Sequence, residues 1–249
     1  GQTGAGKSVM LNVILSALTE QMNKSKLELV LIDPKQVELS MFDNDPHLRI
    51  PTITDIVDAM HSLNDMVKLM EKRYTKLRNA GYRNIDEYNQ NGGRMSKIVI
   101  VIDEFADLMM SDLKPSAETM DFAVLKDNID WMRAESRTGK FTKTLLQKAV
   151  KQTIKQTAPP SAEDSIIRIA QKARAVGMHI ILATQRPSAD VVTGLIKANI
   201  PTKIAFTVTS KVNSQIILDA NGAEQLTGKG DMLFTAPDTP ITRLQGLYK

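Results

Sequence analysis

Gly1-Gln2-Thr3-Gly4-Ala5-Gly6-Lys7-Ser8 and Ile98-Val99-Ile100-Val101-Ile102-Asp103-Glu104 decide how this chain of 249 residues is read. The first stretch fits G-x-x-x-x-G-K-[ST], the phosphate-binding P-loop. Gly4 and Gly6 let the backbone aim successive N–H groups at phosphate oxygens, with Gly1, Gln2, Thr3 and Ala5 completing the loop. Lys7 is suited to neutralise the β- and γ-phosphates of ATP, and the Ser8 hydroxyl to hold Mg²⁺. The helix expected from about Ser8 to Gln21 turns its positive end towards the same phosphates. The plain alternative is a glycine-rich stretch that matches by chance.

The second stretch weakens that alternative. An unbroken β-branched run reads as a strand buried on both faces of a parallel sheet. Two carboxylates at its C-terminal end stand where such sheets bind ligands. Asp103 then holds Mg²⁺ through its water shell, and Glu104 orients and deprotonates the attacking water. An acidic helix cap after a strand is the other reading of the pair.

A third run, Met178–Ala183, ends in Thr184-Gln185-Arg186-Pro187. Alone, those four residues read as a loop. After a buried strand beside Asp103, Gln185 becomes the candidate sensor of the γ-phosphate, with Thr184 in reserve. Leu27–Asp33 and Thr202–Val208 are further strands, and helical periodicity covers Asp55–Asn79, Ala162–Val176 and Lys211–Asp219. Strands alternating with helices predict an α/β fold with a doubly wound, mostly parallel sheet flanked by helices. A P-loop ordinarily follows an apolar strand at the centre of such a sheet. Four to seven apolar residues are therefore expected immediately before Gly1 in the parent protein, and without that strand its two neighbours stand unpaired.

Composition narrows the chemistry. The chain has no cysteine, which excludes a disulfide framework, a thiolate metal site and a Cys nucleophile. His47, His61 and His179 match no metal-ligand spacing, so a metal held by protein ligands alone is not expected. Aromatic residues make up 4% of the chain, too few for base stacking to be the main means of holding a ligand. The longest apolar runs fall far short of the roughly 18 residues that span a bilayer. A net charge of +4 leans towards polyanions without specifying one.

Beyond the nucleotide motifs, many stretches resemble the motor domain of the FtsK/SpoIIIE family of double-stranded DNA translocases. They include Ile32-Asp33-Pro34-Lys35 with Val37-Glu38-Leu39, Pro46-His47-Leu48, Glu71-Lys72-Arg73-Tyr74, and Arg83-Asn84-Ile85 with Tyr88-Asn89. Asp103 to Met110, Ala170 to Ala175, Ala183 to Pro187, Gly194 to Pro201 and Gly228 to Leu233 continue the likeness. It covers roughly residues 1–110 and 165–249. The resemblance implies a RecA-like ATPase that forms a homo-hexameric ring, passes double-stranded DNA through its centre and hydrolyses ATP at subunit interfaces. It also implies that Arg174 acts in trans as an arginine finger, with Lys211 of Thr209-Ser210-Lys211 as its partner. Read without the family, Arg174 is a basic residue compensating a helix end. Arg73 and Arg186 are outside candidates for the same role. Longer members carry membrane spans and a sequence-reading module, so the parent is expected at the cytoplasmic face of the bacterial inner membrane, with this domain cytoplasmic.

Residues 1–249 then form one motor domain, interrupted by a helical insertion at 111–165 that is longer than the family pattern. Within it, Thr142–Thr157 has Leu145, Leu146, Ala149, Val150 and Ile154 at helical spacing. Seven basic residues stand against Glu135 between Arg133 and Lys155. An amphipathic helix packed on the motor is the plain reading. An arm touching DNA phosphates or a neighbouring subunit, and a membrane-surface helix, are the others. Trp131 is expected to anchor the insertion by packing, and Pro159-Pro160 to mark its exit. Phosphate-contacting pore loops are expected around Arg186–Gly194 and Asn221–Lys229. A ring ATPase that moves protein or a conjugative nucleoprotein shares every ATP-site feature, and a nucleotide-gated binding module shares all but Glu104.

Overall fold

Alternation of faces along the β-branched runs organises the structure. In the computed structural model, which describes residues 4–112, 122–135, 143–157 and 161–246, the elements run α1 (Lys7–Gln21), β1 (Leu27–Ile32), α2 (Ile56–Ala80), α3 (Ile85–Gln90) and β2 (Lys97–Ile102). Then follow α4 (Phe105–Asp112), α5 (Phe122–Glu135), α6 (Lys143–Thr157), α7 (Ala162–Lys172), β3 (Met178–Leu182) and α8 (Gly194–Asn199). β4 (Lys203–Phe206), α9 (Lys211–Leu218), β5 (Asp231–Ala236) and β6 (Thr239–Gln245) complete it.

β1, β2 and β3 pair in parallel in that order, Ile32 beside Ile102 and Ile102 beside Leu182. Because side chains alternate, one strand feeds two cores. Ile98, Ile100 and Ile102 pack with Val30 and Ile32 against α2, α4 and α7. Val99 and Val101 join Leu27, Leu29 and Leu31 on the other face, against Leu11 and Leu15 of α1. The outer edge of β1 is met by Leu48 and Ile53 through single parallel bridges. α2 starts where the Asp55 carboxylate accepts from Val57 N and Asp58 N, and it stops at Gly81 in the left-handed region. Between them Met60, Leu63, Val67, Met70 and Leu77 form a buried stripe at helical spacing.

The parallel sheet stops at β3. The predicted strand at Thr202–Val208 is present as the shorter β4, but it pairs antiparallel with β5 in a second sheet, β4-β5-β6. β3 is half-buried along most of its length, not enclosed on both faces. Its outer edge and β4 both border a cavity of about 180 Å³ lined by Ile14, Ile181, Leu182, Ile204, Phe206 and Ile217.

Within the expected insertion, two helices are described. α6 packs on α5, burying Ala149 and Thr153. Asn128 Nδ2 donates to Thr153 Oγ1 at 2.9 Å, and Thr153 Oγ1 donates to Ala149 O at 2.8 Å. The two helices thus satisfy each other as an α-hairpin. Trp131 is not its anchor, since 58% of its surface remains exposed. Pro159 and Pro160 lie outside the described residues. Among the described residues, no helix is long and apolar enough to cross a membrane.

Candidate active site

The P-loop is described from Gly4 onward, and Gly1, Gln2 and Thr3 lie outside the described residues. α1 begins at Lys7, one residue ahead of its expected start. Gly6 precedes it at φ 111°, and no side chain caps the first turn, so its N–H groups are left for an anion. Glycine is required at position 6 for two reasons. The backbone sits where L residues are strained, and a Cβ would come within 2.9 Å of Gly230 N. Gly230 N in turn donates to Ala5 O at 3.1 Å. The turn at 228–230 therefore supports the loop from behind.

Lys7 and Asp103 meet across the chain. Lys7 Nζ donates to Asp103 Oδ1 at 2.7 Å and to the Asp103 carbonyl at 2.8 Å, with both residues buried. Burial pushes the Asp103 carboxyl above its ordinary range, and the Lys7 ammonium only partly offsets this. Asp103 Oδ2 is buried and has no hydrogen-bond partner among the described residues. An orphaned carboxylate oxygen beside a helix N-terminus, with the Ser8 hydroxyl in the first helical turn, is a hard-oxygen donor set that fits a hydrated Mg²⁺.

Glu104 is enclosed and held from three directions. Its Oε1 accepts from the Thr184 hydroxyl, its Oε2 accepts from Gln185 N at 3.1 Å and from Lys35 Nζ at 3.2 Å. Burial alone raises its carboxyl, but the Thr184, Gln185 and Lys35 donors outweigh that and hold it below the ordinary value. It is thus an ionised, oriented carboxylate at the end of β2. Thr184, the reserve sensor, touches it by side chain, whereas Gln185 reaches it through its backbone N–H.

Lys35 is a site residue the motif reading passed over. Asp33, fully buried, accepts from Val37 N, Glu38 N and Leu39 N at 3.0–3.1 Å and from Lys35 N at 3.2 Å. That carboxylate folds residues 33–39 into a compact turn. The in-register pairing of Ile32 with Ile102 then sets Lys35 beside Glu104. The signal was the Asp-Pro-Lys at a strand end, but its meaning depended on which strand lies next to β1.

The proposed trans residues fall elsewhere. Arg174 is exposed in a 3₁₀ turn at Ala173–Val176, before β3. Glu104 contacts Thr184 after β3, and five strand residues separate those ends by about 16 Å. One chain therefore does not unite Arg174 with Glu104. Lys211 is exposed in the first turn of α9, which Ser210 caps by accepting from Asn213 N. Arg73 is withdrawn as a finger candidate, because it is buried and donates to Ser96 O at 2.8 Å and Val176 O at 2.9 Å. Arg186 pairs with Asp107 at 2.7 Å.

Comparison with known proteins identifies the family. The sequence profile of the FtsK/SpoIIIE family matches residues 1–97 and 145–189. The chain is 42% identical to DNA translocase SftA of Bacillus subtilis (strain 168), with all of this chain and 22% of that protein aligned. It is 38% identical to DNA translocase FtsK of Haemophilus ducreyi (strain 35000HP / ATCC 700724), again over its whole length and 24% of the relative. The chain thus spans about a quarter of these relatives. Among solved structures, the pCW3 conjugation coupling protein TcpA, in a monomer form with ATPγS, superposes with a TM-score of 0.70 at 27% identity, covering 100% of this chain and 58% of TcpA. A P-loop at the start of α1, paired carboxylates at the end of β2 and end-to-end similarity to named translocases make this chain a member of the FtsK/SpoIIIE family, with the fold of its P-loop ATPase motors.

Proposed function

We propose that this chain hydrolyses ATP to drive double-stranded DNA through a homo-hexameric ring during chromosome segregation and cell division. The observation that carries the reading is the convergence of Lys7–Asp103 and Thr184–Glu104–Lys35 at the C-terminal ends of β2 and β3. Lys7 leaves Asp103 for the β- and γ-phosphates, Gly4 to Ser8 supply backbone donors, and Ser8 with Asp103 holds Mg²⁺, Asp103 through water. Bound there, Mg²⁺ neutralises charge on the phosphate oxygens. Glu104 accepts the proton of the attacking water, and Thr184 and Gln185 couple its orientation to the nucleotide. Arg174 and Lys211 of a neighbouring subunit complete the site in trans, which the distance of Arg174 from Glu104 within one chain supports.

We infer further that, in a longer polypeptide, an apolar strand leading into the P-loop occupies the slot between β3 and β4. The apolar lining from both strand edges supports this. Anchoring of the parent at the cytoplasmic face of the inner membrane belongs to the same proposal and rests on segments outside these residues.

ATP turnover titrated with linear duplex and then single-stranded DNA, with ring formation monitored in parallel, tests the reading. Stimulation by duplex alone, abolished in Lys7→Ala and Arg174→Ala, is the expected result. The similarity to TcpA favours a second reading, a ring that moves a conjugative nucleoprotein. An assembled ring whose turnover ignores duplex DNA would favour that alternative.

A further inference from the structure

We propose that the α5–α6 hairpin is a duplex-DNA arm whose contact surface is the lysine face of α6. This rests on the reading of the chain as a DNA motor. Three observations carry it. First, α6 has lysines and no acidic residue along Lys143–Thr157. Lys143, Lys148 and Lys151 are all exposed, whereas the buried Ala149 and Thr153 face α5. At 100° per residue the three lysines fall within an arc of about 140°, turned away from α5. The acids Asp127 and Asp130 lie on α5. α5 carries charges of both signs, whereas α6 carries only positive charge.

Second, among the described residues no ion pair uses that charge. Where α6 meets α5, Asn128 bonds Thr153 and Gln152, all three uncharged. A helix that is basic on the face it turns away from α5 is complementary to a polyanion. Lys143 and Lys151 are eight residues apart, about 12 Å along the helix, and duplex DNA carries one phosphate charge per roughly 1.7 Å of its axis.

Third, the described elements on either side of the hairpin in sequence, α4 and α7, both contact the loop expected to face DNA. Before the insertion, Asp107 of α4 pairs with Arg186 at 2.7 Å, and Met110 Sδ lies 3.6 Å from Arg186 Nη1. After the hairpin, Glu163 in the first turn of α7 accepts from Thr193 Oγ1 at 2.7 Å. α4 and α7, which flank the hairpin in sequence, therefore both hold residues 186–193. Phosphate contacts of this kind add affinity without reading sequence. The family profile is interrupted between residues 97 and 145, so α5 lies outside both matched stretches.

The test uses the full chain with Lys143, Lys148 and Lys151 all changed to Ala, and a second variant with all three changed to Arg. Equilibrium binding to a fluorescent linear duplex is measured across a salt series, beside assembly state and ATP turnover without DNA. Each lost phosphate contact removes about 0.9 from the slope of log affinity against log salt. The alanine variant is expected to lose up to about 2.7 of slope, so that raising salt from about 50 to about 200 mM costs the wild type some 40-fold more affinity than the variant. The arginine variant keeps the wild-type slope, and both keep wild-type assembly and DNA-independent turnover.

Identical slopes in wild type and alanine variant overturn the arm. Loss of ring assembly with an unchanged slope per ring also overturns it and assigns the face to a neighbouring subunit. A wild type that binds no duplex at all sinks the DNA-motor reading, a result the variants are not needed to recognise.

Discussion

Lys35 Nζ stands 3.2 Å from Glu104 Oε2, although the two are 69 positions apart, and among the described residues it is the one charged donor on a carboxylate otherwise held by a hydroxyl and a backbone N–H. The Lys35 side chain is 39% exposed while that of Glu104 is fully buried, so the pair joins the site to solvent. Changing Lys35 to Met keeps the aliphatic stem and removes the charge. Turnover should fall while nucleotide affinity changes little, because Lys35 positions Glu104 and does not reach the phosphates in the proposed arrangement. Steady-state kinetics that separate kcat from KM check this, and Lys35→Arg should restore part of the rate.

Glu104→Gln should retain ATP binding and lose turnover by about 10²- to 10⁴-fold, the usual range for a positioned general base. Turnover near the wild-type rate would show that another group activates the water.

The same carboxylate carries a pH signature. Its value is lowered from 4.5 in the folded state, so its contribution to stability is present above about pH 4.5 and is lost as pH falls through the depressed folded value. The stability difference between wild type and Glu104→Gln should therefore be constant from pH 7 to about 5 and shrink below that. Chemical denaturation at a series of pH values reads it directly.

Gly6 and Gly81 both have positive φ, but only Gly6 has a neighbour in the way. Gly6→Ala should destabilise by about 1–3 kcal/mol and displace the 228–230 turn, abolishing nucleotide binding. Gly81→Ala meets open space, so it should cost only about 1 kcal/mol and leave binding intact. Urea titrations together with nucleotide binding separate the two.

Arg73 and Arg174 should fail in opposite ways. Arg73→Leu leaves Ser96 O and Val176 O without their donor and should lower stability by about 1–3 kcal/mol. Arg174→Ala should melt like the wild type yet lose about 10³-fold in turnover once assembled. Mixing Lys7→Ala with Arg174→Ala subunits should recover activity, because an interface between them can hold one intact Lys7 and one intact Arg174. No recovery in mixed rings would refute sharing of the site.

Much of this molecule was legible from the chain alone. Gly4, Gly6 and Lys7 announce a phosphate loop because backbone sterics and charge act locally, and Ile98 to Ile102 announces a buried strand because a two-residue period with no polar member has to be covered on both faces. The boundaries of α1, β1, α2 and β2 followed from the same local rules to within a residue. The tertiary structure alone decided which ends lie together. Parallel pairing of β1 with β2 brought Lys35 to Glu104, and pairing of β2 with β3 brought Thr184. The same packing buried Arg73 among carbonyls, turned β4 into an antiparallel strand and let α6 close on α5. These contacts join residues tens of positions apart, and strand order and register, which select them, leave no trace in the periodicity of any single segment.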